Sequence, residues 1–220
     1  MKKLTISSVA LLFLGFAPVA LADEVPANIS GAGHWDIGAV EHEGALELEI
    51  GQHVGTNHTH FILAGSIINF NFGTNAKAPV TIGTNNLGSL WVTPSTEEAA
   101  DAAGMPFIGF SAEELLAPFT GPVTFTMTGF SYTGSGTGHF YMFEGEDIFF
   151  NSTTTNNFGS FEVVVGQHGH GEFGFSDAGR YQITLVANGN NGDPVSGDPA
   201  TFAFTLPGSI CRSMTEPLRA

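Results

Sequence analysis

The stretch Val-Thr-Phe-Thr-Met-Thr-Gly-Phe, residues 123–130, alternates apolar side chains with threonine. Successive side chains of an extended strand point to opposite faces, so Val123, Phe125 and Met127 share one face and the threonines share the other. A two-residue period of this kind is typical of a strand with one face buried and the other in water. The stretch therefore predicts a β-strand in an antiparallel sheet.

Similar short runs recur along the chain between turns rich in glycine and asparagine. With 29 Gly and 20 Phe in 220 residues and few strong helix formers, the composition also favours an all-β protein. The predicted strands are residues 46–50, 60–63, 67–72, 88–92, 123–130, 139–143, 159–165, 171–175, 181–187 and 201–206. We expect one antiparallel β-sandwich, immunoglobulin-like, over residues 23–206.

Two segments predict short helices that connect strands outside the sheets. Residues 96–103 begin with acidic residues, continue with alanine and are followed by Gly104, a common helix stop. Residues 111–116 begin with serine, a good N-cap, have glutamate three residues later and end before Pro118.

The two ends of the chain have a different character from the middle. Lys2 and Lys3, the apolar run after them and Ala-Leu-Ala at 20–22 predict a cleaved secretion signal over residues 1–22. We therefore expect an exported protein, located in the periplasm, at the cell surface or outside the cell, with no membrane span in the mature chain. Residues 207–220 have no strand pattern, and we expect a disordered tail there.

The charge and cysteine content restrict the possible partners. The formal net charge is −15, and so acidic a surface repels nucleic acid. The single cysteine, Cys211, rules out an intramolecular disulfide and any zinc site built from several cysteines. A metal site in this chain must use histidine together with aspartate, glutamate or water.

The histidines carry the clearest functional signal, because four of them form the His-x-His pairs His58/His60 and His168/His170. Residues two apart on a strand share a face, so each pair can direct two imidazoles at one zinc, copper, iron or nickel ion. We predict a metal site at His168 and His170, with His34 or His139 as a third ligand and Asp36 or water completing the shell. A weaker second cluster would comprise His53, His58 and His60. The alternative is that these histidines only satisfy local hydrogen bonds.

Several blocks in a fixed order resemble a known family, the choice-of-anchor M domain, also described as the actinobacterial surface-anchored repeat domain. The blocks are residues 31–38 (Gly-Ala-Gly-His-Trp-Asp-Ile-Gly), 44–50, 90–94, 106–115, 123–130, 138–143 and 168–185. The family's recurring polar positions match His34, Asp36, His139, His168 and His170. The chain departs from the family at Gly174, where the family usually has tryptophan, and in lacking a recognisable C-terminal anchor.

The resemblance implies an exported, surface-associated β-domain with a metal-type ABC transporter or another cell-surface component as partner. We predict a non-enzymatic protein that binds a transition metal, with zinc as the expected ion. The first alternative is a structural or adhesive surface module without a metal. A minor alternative is a metallohydrolase, which would need an open coordination position. The common hydrolase, zinc-protease and phosphate-loop motifs do not occur in the sequence.

Overall fold

The computed structural model describes residues 23–54, 57–73 and 75–207. Strands make up 64% of these residues and helix 4%, so the prediction of an all-β protein is confirmed. The predicted signal peptide and residues 208–220 of the predicted tail lie outside the described residues. In the described part of the chain, no helix has the length and apolar character needed to cross a membrane.

The predicted runs all fall within or overlap strands, and residues 60–63 and 67–69 belong to one long strand. The first eight strands are β1 (Asp23–Ser30), β2 (Gly33–His42), β3 (Ala45–Val54), β4 (Asn57–Asn69), β5 (Ala78–Ile82), β6 (Asn85–Val92), β7 (Pro106–Ser111) and β8 (Pro122–Gly134). The others are β9 (Phe140–Glu144), β10 (Asp147–Asn151), β11 (Ser160–Val164), β12 (His168–His170), β13 (Glu172–Phe175), β14 (Gly179–Asn190), β15 (Pro194–Ser196) and β16 (Ala200–Leu206). One helix among the described residues, α1 (Glu97–Ala103), connects β6 to β7.

The strands form a large sheet and a small one. The large sheet has the order β11-β8-β14-β16-β4-β3-β2-β7-β12, with β1 beside β4 and β15 beside β14, and it curls until it is nearly closed like a barrel. The small sheet has the order β10-β9-β13-β6-β5. Three pairs, β1/β4, β16/β4 and β2/β7, are parallel, so the prediction of a wholly antiparallel fold is wrong for them. Long connections allow this, since the chain forms four strands and α1 between β2 and β7.

Phenylalanine side chains join the two sheets. Phe204 of β16 lies 5.3 to 5.6 Å, between ring centres, from four other phenylalanines, and all five rings are at most 1% exposed. The four partners are Phe70 beside the large sheet and Phe140, Phe173 and Phe175 of the small sheet. Burial of such rings is the main stabilising contribution available to a chain without a disulfide.

Of the two predicted helices, one is present. The first begins after the N-cap Thr96, whose hydroxyl accepts a hydrogen bond from Ala99 N, and it ends at Gly104 with φ of +64°. The second prediction, over residues 111–116, is wrong. Ala112 donates its N–H to the carbonyl of Gln167 and accepts at its carbonyl from Gly166 N, both at 2.9 Å. These backbone hydrogen bonds join it to the segment before β12 and not to the next turn of a helix. This segment forms turns instead.

Replacement of Phe204 by alanine should lower the free energy of unfolding by about 3–5 kcal/mol, because it opens a cavity where the two sheets meet. Val164, which is 53% exposed at the edge strand β11, provides a control, and Val164→Ala should cost about 0.5 kcal/mol or less. Urea unfolding followed by fluorescence measures both changes. Equal effects of the two substitutions would contradict the assigned core.

Candidate metal centre

Five neighbouring strands of the large sheet, β12, β7, β2, β3 and β4, bring the histidines together. Across β2, β3 and β4, His34 lies opposite His53, and His53 lies opposite His58. One row along, Asp36 lies opposite Gly51, which lies opposite His60. The side chains that share this side of the sheet are called the histidine face: His34, Asp36, His53, His58, His60, His168 and His170.

Glycines make room for the imidazoles on this face. Gly109 of β7 lies between Asp36 and His170 in the register, and a Cβ atom there would overlap both the Asp36 carboxylate and the His170 ring. Gly51 of β3 lies under the other end of the face, where a Cβ atom would stand 3.6 Å from His60 Nδ1. The two glycines leave the hollows into which the polar side chains turn.

Asp36 lies at the centre of the face and is only 2% exposed. Its Oδ2 is 3.0 Å from His53 Nε2 and 3.4 Å from His34 Nε2, and its Oδ1 is 4.0 Å from His170 Nε2. Despite these short approaches, neither carboxylate oxygen, nor His34 Nε2, has a directed hydrogen bond to any described residue. Burial of a carboxylate without directed hydrogen bonds is costly, and oxygens of this kind can accept a cation.

The ionisation of the face follows from burial and from Asp36. Pairing with the Asp36 carboxylate raises the pKa of His34, whereas burial lowers the pKa of His53 and of His170. Burial works against the charge on Asp36, but His34 and the other nearby imidazoles outweigh it and hold the Asp36 pKa below its ordinary value. Burial therefore favours the neutral, metal-binding form of His53 and His170, whereas a metal ion would have to displace a proton that Asp36 favours on His34.

Three imidazoles stand at the spacing of a tetrahedral metal site. The ring centres of His34, His168 and His170 are 4.9, 5.2 and 5.5 Å apart, and each residue offers a nitrogen within 4.8 Å of the others. With metal–nitrogen bonds of about 2.0–2.1 Å, three imidazole centres around a tetrahedral ion lie about 5 Å from one another. We call His34, His168, His170 and Asp36 site I.

Two glutamates orient the imidazoles of site I. Glu113 Oε1 accepts a hydrogen bond at 2.9 Å from His168 Nδ1, and Glu97 Oε2 lies 3.6 Å from His34 Nδ1. With Nδ1 turned toward a carboxylate, Nε2 of each ring remains for a metal. This carboxylate–histidine arrangement fixes the ring and makes the imidazole a stronger ligand in known metal sites.

His60 lies at the other end of the face, between two carboxylates. Its Nε2 is 2.8 Å from Glu114 Oε1, and its Nδ1 is 3.2 Å from Glu49 Oε2. Pairing with Glu114, and to a smaller extent with Glu49, raises the pKa of His60 to about 9. His58 Nδ1 also lies 3.7 Å from Glu114 Oε1.

The structure brings together most of the residues singled out in the sequence. His34, Asp36, His168 and His170 converge, and the second cluster of His53, His58 and His60 adjoins them on the same face. His139 lies elsewhere: its Nε2 is 3.4 Å from Thr137 Oγ1, and its backbone N donates to Ser176 Oγ. It therefore does not join site I, because the chain turns from β8 into β9 at the small sheet.

Four glutamates of this region were missed as site residues: Glu49, Glu97, Glu113 and Glu114. The adjacent pair Glu113-Glu114 was a usable signal, but the pattern of residues 111–116 assigned it to a helix. In the structure, Ser111 Oγ accepts a hydrogen bond from Glu113 N, and this turn directs the two carboxylates to different histidines. Glu49 and Glu97 become neighbours of the face only through the fold.

Comparison with protein-family models gives no matching family, and comparison with curated proteins gives no match either. The resemblance to the choice-of-anchor M domain therefore remains a prediction, and the function has to be argued from the geometry of the face.

Replacement of Gly109 by alanine should destabilise the protein by about 1–3 kcal/mol, because the added methyl group displaces Asp36 or His170. Gly38 is a matched control, since it lies in β2 on the same side as Asp36 and a Cβ atom there would meet nothing within 4 Å. Thermal unfolding measures the effect, and Gly38→Ala should be close to neutral. The assigned packing of the face would be contradicted if both variants melted alike.

His60 should also make the stability of the metal-free protein depend on pH. Its pKa is raised from 6.5 to about 9 in the folded protein, so the contribution is complete below pH 6.5 and is lost as the pH rises through 9. The loss amounts to about 3 kcal/mol at most. Urea unfolding between pH 6 and 10 should show this decline, and His60→Gln should remove it.

His42→Gln is the control for this titration, because His42 is an exposed histidine that lies 3.3 Å from Glu47 outside the face. This variant should keep the wild-type slope of stability against pH. A wild-type slope that His60→Gln leaves unchanged would show that His60 is not held by its two glutamates.

Proposed function

We propose that the protein is an exported, non-enzymatic protein that binds a transition-metal ion, zinc in the first place, at site I. The observation that carries the proposal is the triangle of His34, His168 and His170 around the buried Asp36. Its ring spacing suits a single tetrahedral ion, and both Asp36 carboxylate oxygens, His34 Nε2 and His170 Nδ1 lack hydrogen-bond partners among the described residues.

The donor set favours zinc among the divalent ions. Three imidazole nitrogens and one carboxylate oxygen make a four-coordinate shell without sulfur, which suits zinc and also accommodates copper, nickel or cobalt. With Asp36 as the fourth protein ligand the shell would be closed, and a closed shell favours binding over hydrolysis. This argues for a binding protein and against the metallohydrolase alternative.

The cellular role in this proposal rests on sequence features. The secretion signal and the resemblance to the choice-of-anchor M domain support a protein of the periplasm or the cell surface, with a metal-type ABC transporter or a cell-surface component as partner. The domain assignment, one β-sandwich over residues 23–206, belongs to the same proposal. Two packed sheets support it, although the large one is nearly closed.

A structural or adhesive surface module without a metal is the second candidate. The observation in its favour is that His60 and His168 already have short contacts to carboxylates, at 2.8 Å to Glu114 and 2.9 Å to Glu113. Ion pairs of this kind hold a sheet face together without an ion.

Metal analysis of the protein, purified without a histidine tag and without chelator, separates the two candidates. The double variant His168→Ala/His170→Ala should bind one zinc equivalent less than the wild type, because it loses two of the four site I ligands. The variant His42→Ala, which removes an exposed histidine of β2, should bind as much as the wild type. Mass spectrometry under native conditions counts the ions.

Thermal unfolding gives a second measurement on the same samples. An ion that binds only the folded protein must raise its melting temperature, so zinc should raise it in the wild type and in His42→Ala. The site I variant should respond less. Unchanged zinc content in the site I variant would reject the assignment, and a wild type that neither holds zinc nor melts higher with it would favour the structural module.

A further inference from the structure

We infer that the histidine face binds a second transition-metal ion, held by His58, His60 and Glu114 beside site I. We call these three residues site II. Each of them offers a ligand atom, and the three atoms lie within 4.8 Å of one another. None of them belongs to site I, so the second ion does not depend on the ligands of the first.

The short contacts of Glu114 mark where the ion would lie. Glu114 Oε1 is 2.8 Å from His60 Nε2 and 3.7 Å from His58 Nδ1. Ligand atoms on a tetrahedral ion with bonds of about 2.0–2.1 Å stand about 3.3 Å apart, so the two distances bracket the required one. The ring centres of His58 and His60 are 6.3 Å apart, wider than the imidazoles of site I. His58, whose side chain is 35% exposed, would have to turn inward to close this gap.

The space beside these residues has the size of an ion. A small cavity of about 20 Å³ is lined by His53, His58, His60, Glu49, Glu114 and Gly51, together with Asp36, Gly38, Ala39, Val40 and Ser111. One water needs roughly 10–15 Å³ on this measure, so the cavity admits a single ion or water and no organic ligand. Gly51 contributes to it, because a Cβ atom there would stand 3.6 Å from His60 Nδ1.

The charge and donor atoms of the site select a divalent borderline metal. Two imidazole nitrogens and a carboxylate oxygen suit zinc, copper, nickel or cobalt better than calcium or magnesium, which prefer oxygen ligands. Glu49 adds a second carboxylate 3.2 Å from His60 Nδ1, so that Glu49 and Glu114 together balance two positive charges. In the bound state Glu49 would orient the ring, as Glu113 does for His168.

His53 places the two sites next to each other. Its ring centre is 5.0 Å from that of His34 in site I and 4.2 Å from that of His58 in site II. Two ions on the face would therefore lie on either side of the His53 ring. Paramagnetic ions at such a separation interact through space, which gives the inference a spectroscopic signature.

Titration of the metal-free full-length protein with zinc, followed by native mass spectrometry, tests the inference. The wild type should bind two ions, His58→Ala/His60→Ala one, His168→Ala/His170→Ala one, and the variant with all four changes none. Because removal of His60 disturbs two ion pairs, Glu114→Gln serves as a milder variant that keeps the side-chain shape. Glu114→Gln should weaken the binding of the second zinc ion at least tenfold. Glu98→Gln, an exposed charge-matched control on α1, should leave the binding of both zinc ions unchanged.

Copper(II) in place of zinc supplies the second readout. The electron paramagnetic resonance spectrum of the wild type with two equivalents should show dipolar broadening, and either double variant with its single ion should show none. One ion in the wild type, unchanged by His58→Ala/His60→Ala and by Glu114→Gln, would overturn the second site while leaving site I intact. Loss of an ion in those variants only, with His168→Ala/His170→Ala unaffected, would instead overturn site I and retain site II.

Discussion

The buried carboxylate of Asp36 is the constraint around which the histidine face is arranged. A charge that is 2% exposed in a sheet must be compensated nearby, and the compensation comes from three strands. His34 shares its strand, His53 stands on the next one, and His170 reaches it across Gly109. Each imidazole approaches Asp36 without a directed hydrogen bond, so the compensation is electrostatic and both carboxylate oxygens remain able to accept a cation.

The alternation of side chains along each strand places the polar residues near Asp36 on one side of the sheet. Because side chains alternate along β2, Trp35 and Ile37, which flank Asp36, point toward the core. His34 lies on the same side of the strand as Asp36. The register repeats this alternation in β3, where the buried Ile50 lies between Glu49 and Gly51, two positions on the side of the histidines. A shift of any of these strands by one residue would bury the imidazoles and expose the isoleucines. The apolar core and the candidate metal site therefore require the same strand register.

Sequence reasoning could find this period but not the pairing of distant strands. The alternation at 123–130 and the two His-x-His pairs are local patterns, and β8, β4 and β12 contain them as expected. What brings His34 beside His168 is the parallel pairing of β2 with β7 and the antiparallel pairing of β7 with β12. These pairings join residues 57 to 73 positions apart, and no local pattern determines them. The same gap explains why His139 was grouped with site I and why the glutamates of the 113–114 turn were not.

The distance along the chain between its ligands gives site I a consequence for folding. Residues 34 and 36 lie in β2, whereas residues 168 and 170 lie in β12. The chain has a single cysteine, so an intramolecular disulfide cannot join these strands. An ion held by both strands closes a long loop, and closing long loops is where a cross-link removes most entropy from the unfolded chain. Because the ligands meet only in the folded protein, a bound ion would stabilise it in proportion to the logarithm of the ion's concentration above Kd. The stability of the fold would then follow the concentration of the metal around it.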